Sequence, residues 1–180
     1  MVQQKINKRI VLAGGPGTGK TSVLNELVKL EFHCFQEAFR EIFSDYKKKG
    51  SDFKSEPDKI SKEIYKKRHN DYYQADNLSC KDDIVFYDRG IHEITAYLRS
   101  IDKSSTYWDN LPADYNYDLI FIFQPWKEIY KKDKERIEEF SDVKKISPFI
   151  NEIYLESGIK IIDVPFISIK ERVKFILENS

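Results

Sequence analysis

The sequence predicts a doubly wound α/β domain: a five-stranded parallel sheet with helices on both faces. Three observations predict it. Five short runs rich in β-branched and aromatic residues recur along the chain, at Arg9–Ala13, Phe32–Gln36, Asp83–Tyr87, Asp118–Phe123 and Lys160–Val164. Runs such as Ile84-Val85-Phe86-Tyr87 and Leu119-Ile120-Phe121-Ile122-Phe123 are apolar without alternation, as expected when helices cover both faces of a parallel sheet. Helical patterns lie between the runs, and strand followed by helix, repeated, implies right-handed crossovers with ligands at the carboxyl ends of the strands.

Each element has its own signal. The first run, Arg9–Ala13, leads through glycines into a helix at Thr21–Leu30, where Val23, Leu24, Leu27 and Val28 form one stripe. The second run is followed by Lys47–Phe53, a charged loop, and then by a long charged helix over Pro57–Leu78 that buries Ile60, Ile64 and the His69/Tyr72 positions. After the fourth run, Gln124-Pro125-Trp126 stops the sheet and a charged helix is expected over Ile129–Phe140. The last helix, Ser168–Glu178, groups Ile169, Val173, Ile176 and Leu177. No repeat, low-complexity tract or Pro/Gly/Ser linker divides the chain, so residues 1–180 are expected to form one domain, with a lid segment at about 126–140.

Composition narrows the class. A chain of 180 residues can bury about 70% of its unfolded surface without disulfides. Thirty Lys+Arg balance thirty Asp+Glu, so no global field holds nucleic acid or an anionic membrane, and any anion site must be local. Cys34 and Cys80 form no CxxC or Cys/His cluster, which fits a reduced compartment. Only four apolar residues separate Arg9 from Gly14, giving no signal-peptide core or spanning segment, so a cytoplasmic protein is expected. His33, His69 and His92 lack metal-ligand spacing and read as structural or surface residues.

The strongest chemical signal follows the first strand. Gly14-Gly15-Pro16-Gly17-Thr18-Gly19-Lys20-Thr21 satisfies GxxxxGK[ST] and opens a helix. Its glycines let successive backbone N–H groups turn around phosphate oxygens. Lys20 supplies a point charge at the β/γ-phosphates, the Thr21 hydroxyl can ligate Mg²⁺, Ser22 is placed to reach the α-phosphate, and the helix N-terminus adds partial positive charge.

Three further groups are drawn to the same sheet edge. The third run delivers Asp88, a carboxylate able to hold Mg²⁺ opposite Thr21 or to accept a proton; Arg89 after it can steady phosphate charge. The plainer alternative is a helix N-cap and a surface arginine. Glu37 and Arg40, three apart after the second strand, can share a helix face toward an acceptor, with the carboxylate receiving a hydroxyl and the guanidinium holding an anion; otherwise they form a surface ion pair. Arg136, with Lys131, Lys132 and Lys134, lies on the expected lid helix, where a cation can reach the transferring phosphoryl group, or simply face solvent. The loop Val164–Ser168 is apolar enough to pack a purine.

With these elements in this order, the whole chain resembles the small P-loop proteins known as AAA-type ATPases of the NadR (ribosylnicotinamide kinase-like) group. In that group GGPGxGKT is followed by a glutamate and an arginine after the second strand, then DRG, then PPW with a D..R lid segment, then a VP...ER helix. Here Gln124-Pro125-Trp126 stands where two prolines are usual, and Asp133 and Arg136 supply the lid pair. The resemblance implies a nucleoside-kinase-like P-loop NTPase fold with strand order 2-3-1-4-5, a helical lid, ATP·Mg²⁺ binding and a cleft for a second small molecule, without identifying that molecule.

A small-molecule kinase is therefore expected, with ATP as co-substrate and a nucleoside-like hydroxyl as acceptor. The helical lid domain of AAA+ machines is not expected, because one helix follows the fifth strand. Asp88 is followed by Arg89 and not by the glutamate of hydrolytic Walker B motifs, which favours transfer; a guanine-specific Asn-Lys-x-Asp is absent. Either Glu37 or Asp88 can be the base. The alternative is a nucleotide-dependent regulatory protein with slow hydrolysis and no acceptor.

Overall fold

The computed structural model describes residues 7–37, 39, 42, 56–130 and 139–180. Five parallel strands form one sheet in the order β2-β3-β1-β4-β5, as the resemblance implies. They are β1 (Lys8–Ala13), β2 (His33–Phe35), β3 (Ile84–Asp88), β4 (Leu119–Ile122) and β5 (Ile161–Asp163). The described helices are α1 (Lys20–Lys29), α2 (Pro57–Gln74), α3 (His92–Ser100), α4 (Thr106–Asn110), α5 (Phe140–Glu156) and α6 (Ile169–Asn179).

Side-chain alternation along the central strands builds two cores. Val11, Ala13, Val85, Tyr87, Ile120 and Ile122 face one layer, which also takes in Ile60 and Ile64 of α2, Ile94 and Leu98 of α3, and Ile146 and Ile150 of α5. Ile10, Leu12, Phe86, Leu119 and Phe121 face the other, with Leu24 and Leu27 of α1 and Val173 and Ile176 of α6. Both faces are covered, which is why these strands read as unbroken apolar runs.

Several boundaries differ from the sequence expectation. The helix expected over Ile129–Phe140 does not begin at Ile129, which lies in a turn; positions 131–138 are outside the described residues. A 17-residue helix begins at Phe140, where Glu139 and Asp142 cap each other reciprocally, the Glu139 N–H donating to Asp142 Oδ2 at 3.0 Å. Val28 and Ile169 face solvent and leave the buried stripes of α1 and α6 to their neighbours. Helix α3 gives little periodic signal, because His92, Glu93, Ile94, Thr95, Ala96 and Leu98 are all buried.

The register decides where chemistry can occur. Leu12 lies beside Asp88, Ala13 beside Ile122, and Phe35 beside Tyr87. The glycine loop after β1, Asp88 at the end of β3, and the residues after β2 thus share one carboxyl edge of the sheet.

Candidate nucleotide and acceptor site

The loop Gly14–Gly19 leaves β1 in a conformation that requires glycine at its first position. Gly14 has φ +136°, and a Cβ there would stand 2.4 Å from the Phe123 carbonyl oxygen. Gly19, at φ +94°, precedes the first turn of α1, which carries no side-chain cap and so leaves its N–H groups for a ligand. Lys20 is buried and reaches back across the loop, donating to Gly14 O at 2.8 Å and Gly15 O at 2.7 Å. Burial, with the nearby Arg89 charge, pushes its ammonium down to about 7, against the pull of Asp88, Glu93 and Glu37. Thr21 and Ser22 stand exposed at the helix start.

Thr21 and Asp88 meet: the Thr21 hydroxyl donates to Asp88 Oδ2 at 3.0 Å. Asp88 is 4% exposed, and its Oδ1 has no hydrogen-bond partner. Burial raises its pKa, opposed by Lys20 and Arg89. A buried carboxylate oxygen without a donor, beside a hydroxyl, matches the hard-oxygen donor set that Mg²⁺ takes. Among the described residues no cluster of three His, Cys, Asp or Glu groups forms any other candidate metal site.

Glu37 and Arg89 also meet, in a buried network of alternating charge. Arg89, at φ +77°, pairs through Nε with Glu37 and through one terminal nitrogen with both Gly14 O and Glu93 Oε2, each at 2.8 Å. Arg68 of α2 donates to Glu37 Oε1 at 3.1 Å, to Oε2 at 3.2 Å, and to Gly90 O at 2.8 Å. Phe39 N–H adds a donor to Glu37. Burial would raise the Glu37 pKa, but Arg68 and Arg89 prevail and hold it below the usual carboxylate value. Burial raises that of Glu93, which Arg89 and Arg68 oppose. A narrow cleft alongside is lined by Phe35, Ile64 and Tyr87, by Arg68, Asp88 and Arg89, and by Gln36, Lys67 and Asp71. The reading of Arg89 as a surface arginine is excluded by this burial. Arg40 and Arg136 lie outside the described residues.

Beside the far end of the glycine loop, the Trp126 and Phe166 rings lie 5.2 Å apart, and Phe166, in the loop after β5, is exposed. Arg172 of α6 lies beneath, 3% exposed, with one terminal nitrogen donating to Thr18 O at 3.2 Å and its guanidinium 4.6 Å from the Trp126 centroid.

Sequence reasoning assigned no role to Arg68, Glu93 or Arg172. Arg68 sits in a charged helical segment indistinguishable from a solvated face, Arg172 is the arginine of the VP...ER element to which no role was given, and Glu93 follows the buried His92 in a helix without a polar stripe. A signal for Glu93 existed in its spacing four residues from Arg89.

A family model described as an AAA domain matches residues 9–172. No curated protein matches the chain. Among solved structures, deoxyadenosine kinase from M. mycoides, with products dCMP and dCDP bound, superposes with TM-score 0.71 at 18% identity over 95% of this chain and 97% of that one. NadR protein in complex with NR superposes with TM-score 0.74 at 15% identity; 96% of this chain matches 50% of that one. Together these establish a P-loop fold shared with both structures.

Proposed function

The chain belongs to that AAA-domain family, and from this premise we propose that it is a small-molecule kinase, one domain with a lid near 126–140, that moves the γ-phosphoryl group of ATP to a hydroxyl of a nucleoside-like metabolite. One observation carries the reading: the glycine loop and the Phe35–Tyr87 cleft meet at Asp88 and Arg89, so a phosphate donor and a second small molecule would face each other there. The likeness to deoxyadenosine kinase and NadR supports the same choice.

The roles follow from the geometry. Gly14, Gly15, Gly17, Thr18 and Gly19 would present backbone N–H groups to the phosphates, with Thr21 and Ser22 at the helix start. Lys20 would exchange its bonds to Gly14 O and Gly15 O for phosphate oxygens, regaining full charge as it does. Thr21 Oγ1 and Asp88 would hold Mg²⁺, whose charge, when bound, neutralises the β- and γ-phosphate oxygens. Glu37 would orient the acceptor hydroxyl. Its oxygens already receive Arg68, Arg89 and Phe39 N–H, so it is rigidly placed but weakly basic. Asp88 is then the more basic carboxylate on this edge, and Oδ1 is its oxygen open either to Mg²⁺ or to the proton. Phosphoryl transfer asks mainly for positioning and charge neutralisation, which this network supplies. Arg40 and Arg136 are retained as acceptor-binding and lid cations.

The test is an acceptor panel. ATP consumption is expected to rise by orders of magnitude with one compound among nucleosides and related hydroxyl metabolites, and the product's mass identifies it. Slow turnover unmoved by the whole panel would overturn the kinase reading in favour of a nucleotide-dependent switch.

A further inference from the structure

Among the described residues Arg172 is a charge without a counter-charge. It is 3% exposed, and no carboxylate among the described residues pairs with it. Its Nε is buried without a hydrogen-bond partner. Its contacts are the Thr18 carbonyl and the faces of Trp126 and Phe123, the latter with its centroid at 5.8 Å. Burying a cation without a paired anion is costly, and aromatic faces offset only part of that cost. Other arginines of this molecule are treated differently: Arg68 and Arg89 bind carboxylates, as do Arg9 and Arg99.

The position of the unpaired charge gives it meaning. The Thr18–Gly19 peptide belongs to the phosphate loop, and a Cβ on Gly19 would stand 2.8 Å from an Arg172 terminal nitrogen. In a trans peptide the C=O and N–H point to opposite sides. A donor that fixes the Thr18 carbonyl on one side therefore fixes the Gly19 N–H on the other, and a cation on the carbonyl polarises that N–H into a stronger donor.

We propose that Arg172 is a positioning residue for the donor nucleotide: held behind the Thr18–Gly19 peptide, it aims and strengthens the Gly19 N–H, and the phosphate charge in the loop is the counter-charge it lacks. The inference rests on the reading of Gly14–Ser22 as a nucleotide site. It extends that site to α6, which lies 154 residues from the loop along the chain.

The variants that separate charge from bracing are Arg172→Gln, which can still donate to the Thr18 carbonyl, and Arg172→Lys, which keeps the charge. Binding of ATP, and displacement of ATP by inorganic tripolyphosphate, are measured with thermal melting as the fold control. Arg172→Gln is expected to weaken both ATP and tripolyphosphate about tenfold, Arg172→Lys to recover most of the loss, and KM for the acceptor to stay unchanged. Arg172→Gln binding ATP within twofold of wild type would overturn the proposal. So would a loss for ATP without one for tripolyphosphate, which places the effect at the base. Equal losses in both variants would show that retained charge does not restore binding and also overturn it. If the wild-type chain and Lys20→Ala bind ATP equally poorly, the nucleotide reading itself has failed, a result distinguishable from the others. Where Arg172→Gln melts far below wild type, the Lys variant decides: wild-type affinity supports the charge role, and a tenfold loss refutes it.

Discussion

His92 offers a test of the buried architecture around the site in which the magnitude can be worked directly. It starts α3 and is fully buried; its ring stacks on Tyr154 at 5.1 Å and 18°, and neither ring nitrogen has a hydrogen-bond partner. Burial alone pushes its pKa from 6.5 down to about 4. Because the folded value lies below the unfolded one, the unfolded chain takes up the proton first as pH falls. Stability is therefore full above about pH 6.5 and is lost progressively between there and about pH 4. Each pH unit within the window is worth about 1.4 kcal/mol, so acidification from pH 7.5 to 5 removes about 2 kcal/mol through this one side chain. His92→Phe keeps an aromatic ring against Tyr154 and cannot titrate. Any fixed packing cost of the larger ring is the same at every pH and cancels. Urea unfolding of both proteins at pH 7.5, 6 and 5 is the assay: the wild-type free energy should fall about 2 kcal/mol further than that of the variant across the range. Parallel losses would refute the assignment of a buried, neutral imidazole. Carboxylates such as Glu37 and Glu93 titrate in both proteins and drop out of the difference.

The other predictions concern the site. Lys20→Ala should weaken ATP binding by about 3 kcal/mol, roughly a hundredfold, read by calorimetric titration; unchanged affinity would remove the phosphate-loop assignment. Glu37→Gln should leave ATP affinity near wild type while lowering acceptor-dependent turnover by about 10² or more. The same variant leaves Arg68 and Arg89 short of a buried counter-charge, so it should also unfold about 3 kcal/mol more easily in urea; a variant that loses ATP binding but keeps its stability would contradict both. Gly14→Ala should cost about 3 kcal/mol or more of stability, since its Cβ meets backbone at 2.4 Å and its φ is +136°; a melting temperature like that of wild type would show that the loop relaxes freely.

Legibility of the site followed sequence distance. The phosphate loop was readable because its chemistry is local: glycines, a lysine and a threonine act within eight consecutive residues. Asp88 and Glu37 were readable as polar residues ending apolar runs. Their partners were not. Arg68 reaches Glu37 across 31 residues, Arg89 reaches the Gly14 carbonyl across 75, and Arg172 reaches Thr18 across 154. Arg68 has the same local context as a solvated arginine; Arg89 and Arg172 stood in the quoted DRG and VP...ER elements, but only packing shows which groups they bind. The start expected for a helix at Ile129 was misread for a related reason, the rest of that segment up to 138 lying outside the described residues. A charged run satisfies helical spacing anywhere, while the observed start at Phe140 depends on the reciprocal Glu139–Asp142 cap.

By itself the sequence determined the class of fold and pointed to a candidate phosphate site, because alternating apolar strands and amphipathic helices leave few ways to bury both sheet faces, and because a glycine loop before a helix has local physics. The tertiary structure decided which charges are paired and which is not. It placed Glu37 between two arginines, left Asp88 Oδ1 open beside Thr21, and set Arg172 against the loop with no anion of its own among the described residues. Those outcomes depend on desolvation and on contacts between elements far apart in the chain, and no spacing within the sequence encodes them.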